Sequence, residues 1–219
     1  MEKYPSETSN KQPDKIAETQ PYRVKRNGEY TLEDYYALPD ERRVELIDGV
    51  FYDMASPSSV HQIVAEEIFL QFRLYVKEKG GKCRPLISPL DVQLDCDDRT
   101  MVQPDVLIVC DPKKVIRRCV YGAPDFVVEV LSEGTRKKDM VLKLGKYRNA
   151  GVREYWIVDM KGKRVLVYDF ESGLPAAVYG ITDKIPVGIY GGECMIDFGE
   201  VQEELGRGPE IKEEGPERV

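Results

Sequence analysis

The stretch from Pro124 to Asp159, PDFVVEVLSEGTRKKDMVLKLGKYRNAGVREYWIVD, decides the fold. Its opening run FVVEVL is short, apolar and rich in β-branched residues, and reads as a strand over about 124–132. A helix is expected over about 136–150, stopped by Gly151, a natural C-terminal residue for a helix. EYWIVD then begins a further strand, and RVLVYDF, joined to it through MKGK, completes a hairpin. Upstream, two more strands are expected over about 84–94 and 102–110.

Before them Ser59-Val60-His61-Gln62 reads as a capping box opening a long helix to about Lys79. Val60, Val64, Ile68, Phe72 and Tyr75 form its apolar stripe, and Gly80-Gly81 ends it. RVELIDGVFYDMA reads as a hairpin turning on Asp48-Gly49, a dipeptide suited to a tight primed turn. Thr31 starts a short helix, TLEDYYAL, as its N-cap with Asp34 at the capping-box position. Weaker strands finish the domain. The order helix, strands, helix, strands predicts an α/β (α+β) fold, a central mixed sheet flanked by helices.

The chain has 219 residues and 25.0 kDa, which fits one domain with loose ends, 42% hydrophobic and 32% charged. Residues 1–28 are polar and aperiodic with Pro5, Pro13 and Pro21, and read as a mobile arm; 29–198 is the domain; 199–219 reads as an acidic tail. No run approaches the ~18 consecutive apolar residues of a membrane helix, and the N-terminus has no signal-peptide core, so a soluble, cytoplasmic protein is expected. The one histidine, His61, excludes HExxH zinc proteases and histidine-cluster nucleases. Five cysteines, none spaced as CxxC, argue for reduced thiols rather than a zinc knuckle or disulfide framework. A metal here would be a hard ion such as Mg2+ or Mn2+ held by carboxylates.

The net charge of −7 speaks against a nucleic-acid partner, but its distribution softens that. Residues 1–28 carry +2 and 199–219 carry −4, leaving −5 between them. Within the middle lie two basic clusters, one of Lys113, Lys114, Arg117 and Arg118, the other spread over 136–153. Local charge is what meets a phosphate.

Asp105 starts an apolar strand directly after Pro104, Glu129 sits between Val128 and Val130, and Glu45 lies inside VELI. An unpaired buried carboxylate costs several kcal/mol, roughly, so such residues are paired, hydrogen-bonded or metal-bound. Asp125, Val127, Glu129 and Leu131 alternate onto one strand face. Either three carboxylates share one ligand, or each makes its own salt bridge to a nearby Lys or Arg. Asp139, Lys143 and Tyr147 fall at i, i+4 and i+8 on one helical face, while Gly145 and Lys146 fall elsewhere. Lys143 beside a metal-bound carboxylate could orient water or offset developing charge, or it could form an ordinary ion pair with Asp139. His61 in the first turn of a helix suits a capping or surface role, and Tyr147, Tyr155 and Trp156 suit core packing.

Pro104-Asp105, Glu129-Val130-Leu131-Ser132, Asp139…Lys143…Tyr147, and Gly151 to Asp159, with Glu45 to Gly49 and His61, resemble the Uma-type restriction endonucleases of the PD-(D/E)xK nuclease superfamily. The resemblance covers roughly residues 29–190. It implies a restriction-endonuclease-like core and Mg2+- or Mn2+-dependent cleavage of DNA phosphodiester bonds. Carried over by position, Asp105, Glu129 and the Val130 carbonyl would hold the metal. The lysine expected two residues after the glutamate is Leu131 here, and the resemblance moves that role to Lys143. Glu45, His61, Asp139 and Tyr147 would surround the ligands, and a homodimer is expected by analogy, since two strands need two sites. Two rivals stand beside this: a catalytically silent DNA- or protein-binding member of the fold, and a phosphohydrolase acting on something smaller than DNA.

Overall fold

The structure, a computed structural model, describes residues 25–39, 41–132 and 134–207. Its centre is a six-stranded sheet of β3 (Arg84–Ile87), β5 (Val106–Val109), β7 (Phe126–Val130), β8 (Glu154–Asp159), β9 (Arg164–Asp169) and β10 (Ala177–Gly180). In space the order is β10-β9-β8-β7-β5-β3. Only β7 and β8 run parallel, because a helical crossover joins them; β8 and β9 form the expected hairpin through Met160–Lys163.

The β-branched runs of β5, β7 and β8 are buried on both faces, as strands covered by two layers must be. One face meets α2 (Ser59–Lys79), whose Val64, Ile68 and Phe72 pack on Ile108, Phe126, Val128 and Trp156. Phe198 and Val201 of α4 (Phe198–Gly206) close the same core. The other face holds Leu107, Val127, Tyr155 and Ile157 against Tyr147 of α3 (Leu144–Ala150) and against smaller β-elements. These are the hairpin β1 (Val44–Ile47) and β2 (Val50–Asp53), and the parallel pair β4 (Val92–Gln93) and β6 (Val120–Tyr121). A short pair, β11 (Lys184–Pro186) with β12 (Met195–Asp197), and α1 (Leu32–Tyr36) complete the elements.

Several local expectations hold. Asp48 and Gly49 both have positive φ, 51° and 74°, in a two-residue turn between Ile47 and Val50. Thr31 and Asp34 form the capping box of α1. Gly80 and Gly151 end their helices in the left-handed conformation. The α2 cap lies one residue earlier than expected: Ser58 is the N-cap and its Oγ accepts from the His61 N–H at 3.2 Å. The strand expected over 84–94 is two strands in different sheets, interrupted at Pro89, which has no N–H to offer a ladder.

Three expectations are corrected. Cys83 and Cys110 form a disulfide, against the reading of reduced thiols throughout. Arg84 pairs with Val109 in the β3–β5 register, so the next residues outward, Cys83 and Cys110, are held opposite each other. The acidic tail does not begin at 199, because Asp197 caps α4 through the Gly199 N–H, and Val201 is fully buried. At the other end, Lys25 pairs with Asp34 and the Gly28 N–H donates to the Gly49 carbonyl, so residues 25–28 are tied to the fold. The rest of the mobile-arm and acidic-tail readings fall on 1–24 and 208–219, outside the described residues.

Candidate active site

Asp105 and Glu129 stand opposite each other, because Val106 pairs with Val128 and one further step of the antiparallel register brings the two acids level. Glu129 lies on the α3 face of the sheet with Val127, as alternation requires. The chain between β7 and β8 returns over this face, and its first part, Lys138–Lys143, is a π-helical turn leading into α3. Such turns are uncommon and frequent at functional sites. This one buries both Asp139 and Lys143.

The Lys143 ammonium is the hub. It lies 2.7 Å from Glu129 Oε1, 2.7 Å from Glu45 Oε1 and 3.6 Å from Asp139 Oδ1, and its side chain is 3% exposed. Glu45 reaches it from β1, held also by Lys138 Nζ at 2.6 Å and by the Gln103 N–H at 3.0 Å. The Tyr147 hydroxyl, one turn beyond Lys143, donates to Glu129 Oε1 at 2.6 Å. Tyr155 braces the π turn by donating to the Asp139 carbonyl at 3.1 Å.

Asp105 belongs to a second half of the site. Its Oδ2 accepts from the Val130 N–H at 2.7 Å and lies 3.1 Å from His61 Nε2. His61 is thus neither a surface residue nor only part of a cap; α2 delivers its ring to the candidate ligand. Both candidate carboxylates have one oxygen committed to protein donors, Oδ2 of Asp105 and Oε1 of Glu129. Their Oδ1 and Oε2 accept no hydrogen bond from the described residues.

Burial pushes the Glu129 carboxyl well above the usual range, against the pull of Lys143 and with help from Asp139, Asp105 and Glu45. Burial also raises Asp139, again against Lys143. For Glu45 burial acts in the same direction, but Lys143 and Lys138 outweigh it and its pKa is lowered. Burial would lower Lys143; the carboxylates of Glu129, Glu45 and Asp139 override it and hold the ammonium well above its usual value. His61 is likewise raised: desolvation opposes its charge, but the Asp105 contact and the nearby Val130 backbone win. Acids outnumber cations here, so the cluster has room for a proton or another cation.

The expected residues therefore converge: Asp105, Glu129, Lys143, Glu45, Asp139 and Tyr147 form one connected cluster with His61 and the Val130 backbone at its edge. The three acids first weighed make neither three separate salt bridges nor one set around a shared partner. Glu45 and Glu129 share Lys143, and Asp105 meets His61. Sequence reasoning passed over Lys138 and Gln103 as partners of Glu45. Gln103 stands two residues before Asp105 and Lys138 beside Asp139, but nothing in their spacing links either to a residue near position 45.

The central mixed sheet with helices on its faces agrees with comparison to known proteins. Residues 32–179 match the Uma2 family, described as "Putative restriction endonuclease". The chain belongs to this family. Among solved structures, the fold is similar to that of a chain titled "a putative nuclease belonging to DUF820" from Anabaena variabilis ATCC 29413. The two share 18% identity with a TM-score of 0.66, over 80% of this chain and 98% of that one. No curated protein matches the sequence.

Proposed function

We propose that the chain is a metal-dependent endonuclease that hydrolyses DNA phosphodiester bonds. The observation that supports this most is the pair Asp105 and Glu129, level across β5 and β7, each with one oxygen fixed by the protein and one left over. Two carboxylates and the Val130 carbonyl are an all-oxygen donor set, which suits Mg2+ or Mn2+, ions that keep several waters of their own. When bound, such an ion polarises the scissile phosphate and lowers the pKa of an attacking water. The protein's own contributions follow from the geometry. His61 and the Val130 N–H set the orientation of Asp105, Tyr147 sets that of Glu129, and Lys143 presents a fixed positive charge beside them that orients water or offsets charge in the transition state. A homodimer in the cytoplasm is part of the same proposal.

A silent, binding-only member of the fold is favoured by two observations. Among the described residues no three His, Cys, Asp or Glu side chains are grouped so that they could together hold a metal ion. Lys143 is also already shared by carboxylates. The deciding experiment is cleavage of supercoiled plasmid and of single-stranded DNA with Mg2+, Mn2+ or EDTA, comparing wild type with Glu129→Ala. Metal-dependent nicking that vanishes in the variant supports the nuclease and its site together. No cleavage by the folded protein with any metal transfers the weight to the binding reading, and activity that survives in the variant removes the carboxylate argument.

A further inference from the structure

We propose that an apolar groove on the α3 side of the sheet docks a second copy of this chain about a two-fold axis. The inference does not rest on the nuclease reading, and it names the surface that the homodimer would use. Among the described residues Leu174, Val141 and Val178 are the three most exposed large apolar side chains, at 73%, 66% and 63%. They come from three places in the chain: the loop after β9, the π turn and β10. Exposed apolar residues scattered singly need no explanation, but several gathered at one place mark an interaction surface.

The fold does gather them. Leu174 and Val141 line one groove of about 320 Å³. Its other apolar walls are Met140 and Leu144 from the crossover, and Tyr168 and Phe170 at the end of β9. Val178 stands opposite Leu166 in the β9–β10 register, and Leu166 belongs to the α3-side core with Tyr168 and Phe170 packed against it. Leu166 and Tyr168 are two residues apart on β9 and share that face, which puts Val178 next to the groove. β10 is the outermost strand of the sheet, so no further strand lies beyond Val178 to cover it.

The charges in the lining say what meets it. The groove holds one cation and one anion, Arg148 in the last turn of α3 and Asp169 at the end of β9. Among the described residues Arg148 has no acidic partner and Asp169 no basic one, and the two do not pair with each other. Asp169 gives Oδ1 to the N–H groups of Glu171 and Ser172, both at 3.0 Å, and its Oδ2 accepts no hydrogen bond from the described residues. A two-fold axis beside the groove turns Arg148 of each copy toward Asp169 of the other, so the chain's own groups satisfy both charges twice over. The same axis sends Leu174, the most exposed wall, into the opposite groove reciprocally. A polyanion is a poorer fit, because the cation is matched one for one by an anion. Docking covers Met140, Val141 and Leu144 on the outer side of the segment that buries Asp139 and Lys143, so each copy braces the other's lysine-bearing turn.

The test is sedimentation equilibrium of the full chain, without DNA or metal. The wild type is expected to sediment as a dimer of the 25.0 kDa chain. Leu174→Glu and Val141→Glu, at positions too exposed for folding to depend on them, are each expected to weaken the dimer at least about 100-fold. Leu70→Glu/Leu74→Glu, on the exposed face of α2, is expected to leave it intact. Arg148→Glu and Asp169→Lys are each expected to dissociate alone and to form a dimer again when mixed, because both contacts across the axis then join opposite charges. A monomeric wild type overturns the proposal, as does a dimer that Leu174→Glu leaves intact or that Leu70→Glu/Leu74→Glu also destroys. A mixture that stays monomeric overturns the two-fold docking. A dimer that never cuts DNA with any metal loses the nuclease reading and keeps this one; a monomer that cuts DNA keeps the nuclease reading and loses this one.

Discussion

Replacing Lys143 by methionine separates charge from packing in the buried cluster. The two side chains are close in volume, so a loss of packing alone costs under about 1.5 kcal/mol. The charge term is larger. Lys143 lies 2.7 Å from both Glu45 and Glu129 and is 3% exposed, and removing one partner of a buried pair typically costs about 3–5 kcal/mol. The deficit also depends on pH in a defined direction. Burial already holds Glu129 and Asp139 above the ordinary carboxylate range, and losing the ammonium that opposes burial raises both further. A group whose folded pKa is raised contributes its full stability below the unfolded value, about 4, and loses it as pH rises through the folded value. The deficit of Lys143→Met relative to wild type should therefore be smallest in acid, where these carboxyls are protonated in both proteins, and deepen across the pH range in which the wild type has ionised a carboxyl that the variant keeps protonated, by up to about 1.4 kcal/mol per pH unit for each such carboxyl. Urea unfolding of both proteins at about pH 5 and about pH 8 measures it, and Glu129→Gln added to Lys143→Met should recover part of the loss at the higher pH. A deficit below about 1.5 kcal/mol that is the same at both pH values would refute the reasoning, because it would mean the ammonium carries no net charge interaction.

Four other outcomes follow from single contacts. Gly49→Ala should lower stability by about 1–3 kcal/mol in thermal unfolding, since φ is +74° there and a Cβ would stand 2.6 Å from the Gly28 carbonyl oxygen, a backbone atom that cannot swing aside. Tyr147→Phe removes a buried 2.6 Å hydrogen bond to Glu129 and should cost about 1–3 kcal/mol of unfolding free energy; no change would mean that Lys143, which also donates to Oε1, satisfies Glu129 alone. His61→Ala should weaken Mn2+ binding, followed by titration calorimetry, by about 10- to 100-fold, with His61→Gln intermediate; equal affinity in all three proteins would remove His61 as the residue that orients Asp105. Alkylation of the native protein without reductant should label Cys96 quickly and Cys119 and Cys194 only on unfolding, with Cys83 and Cys110 labelled only after reduction.

What was legible in the sequence was local or carried an evident energetic cost. Asp48-Gly49 between two β-rich runs forms its hairpin because positive φ at both positions suits those residues, whatever surrounds them. Glu129 and Glu45 stood out because a carboxylate inside an apolar strand demands a partner, and the fold supplies one in Lys143. The partners themselves were harder to read. Glu45 comes from a hairpin outside the main sheet, and its contact with Lys138 spans 93 positions. The i, i+4 spacing of Asp139 and Lys143 suggested an ordinary ion pair, but the π turn aims Lys143 at Glu129 and Glu45 and leaves Asp139 the longer contact at 3.6 Å. The Cys83–Cys110 link spans 27 residues and depends on which strands pair, something that cysteine spacing does not carry. In α4 the acids Glu200, Glu203 and Glu204 suggested a tail, while Phe198, Val201 and Leu205, three to four residues apart, mark the face that packs on the core.

The cluster is also a poor design if stability were its purpose. A buried ion pair does about as well as an apolar pair of the same shape, so nothing in packing requires that Glu45, Glu129, Asp139 and Lys143 be gathered under one helix. Nor is the group fully satisfied. His61 Nδ1 is buried without a hydrogen-bond partner, and Asp139 Oδ1 is buried with only the 3.6 Å ion contact to Lys143. One lies on the Lys143 side of the site and the other on the Asp105 side. Between them stand Glu129 and Asp105, with an oxygen each to spare and a surplus of negative charge. A structural salt bridge would close on itself; this one is left short of positive charge, and under the nuclease proposal that is where a phosphodiester and its counter-ion would enter, so Glu129→Ala should abolish activity while also losing the stability of the Tyr147 and Lys143 contacts.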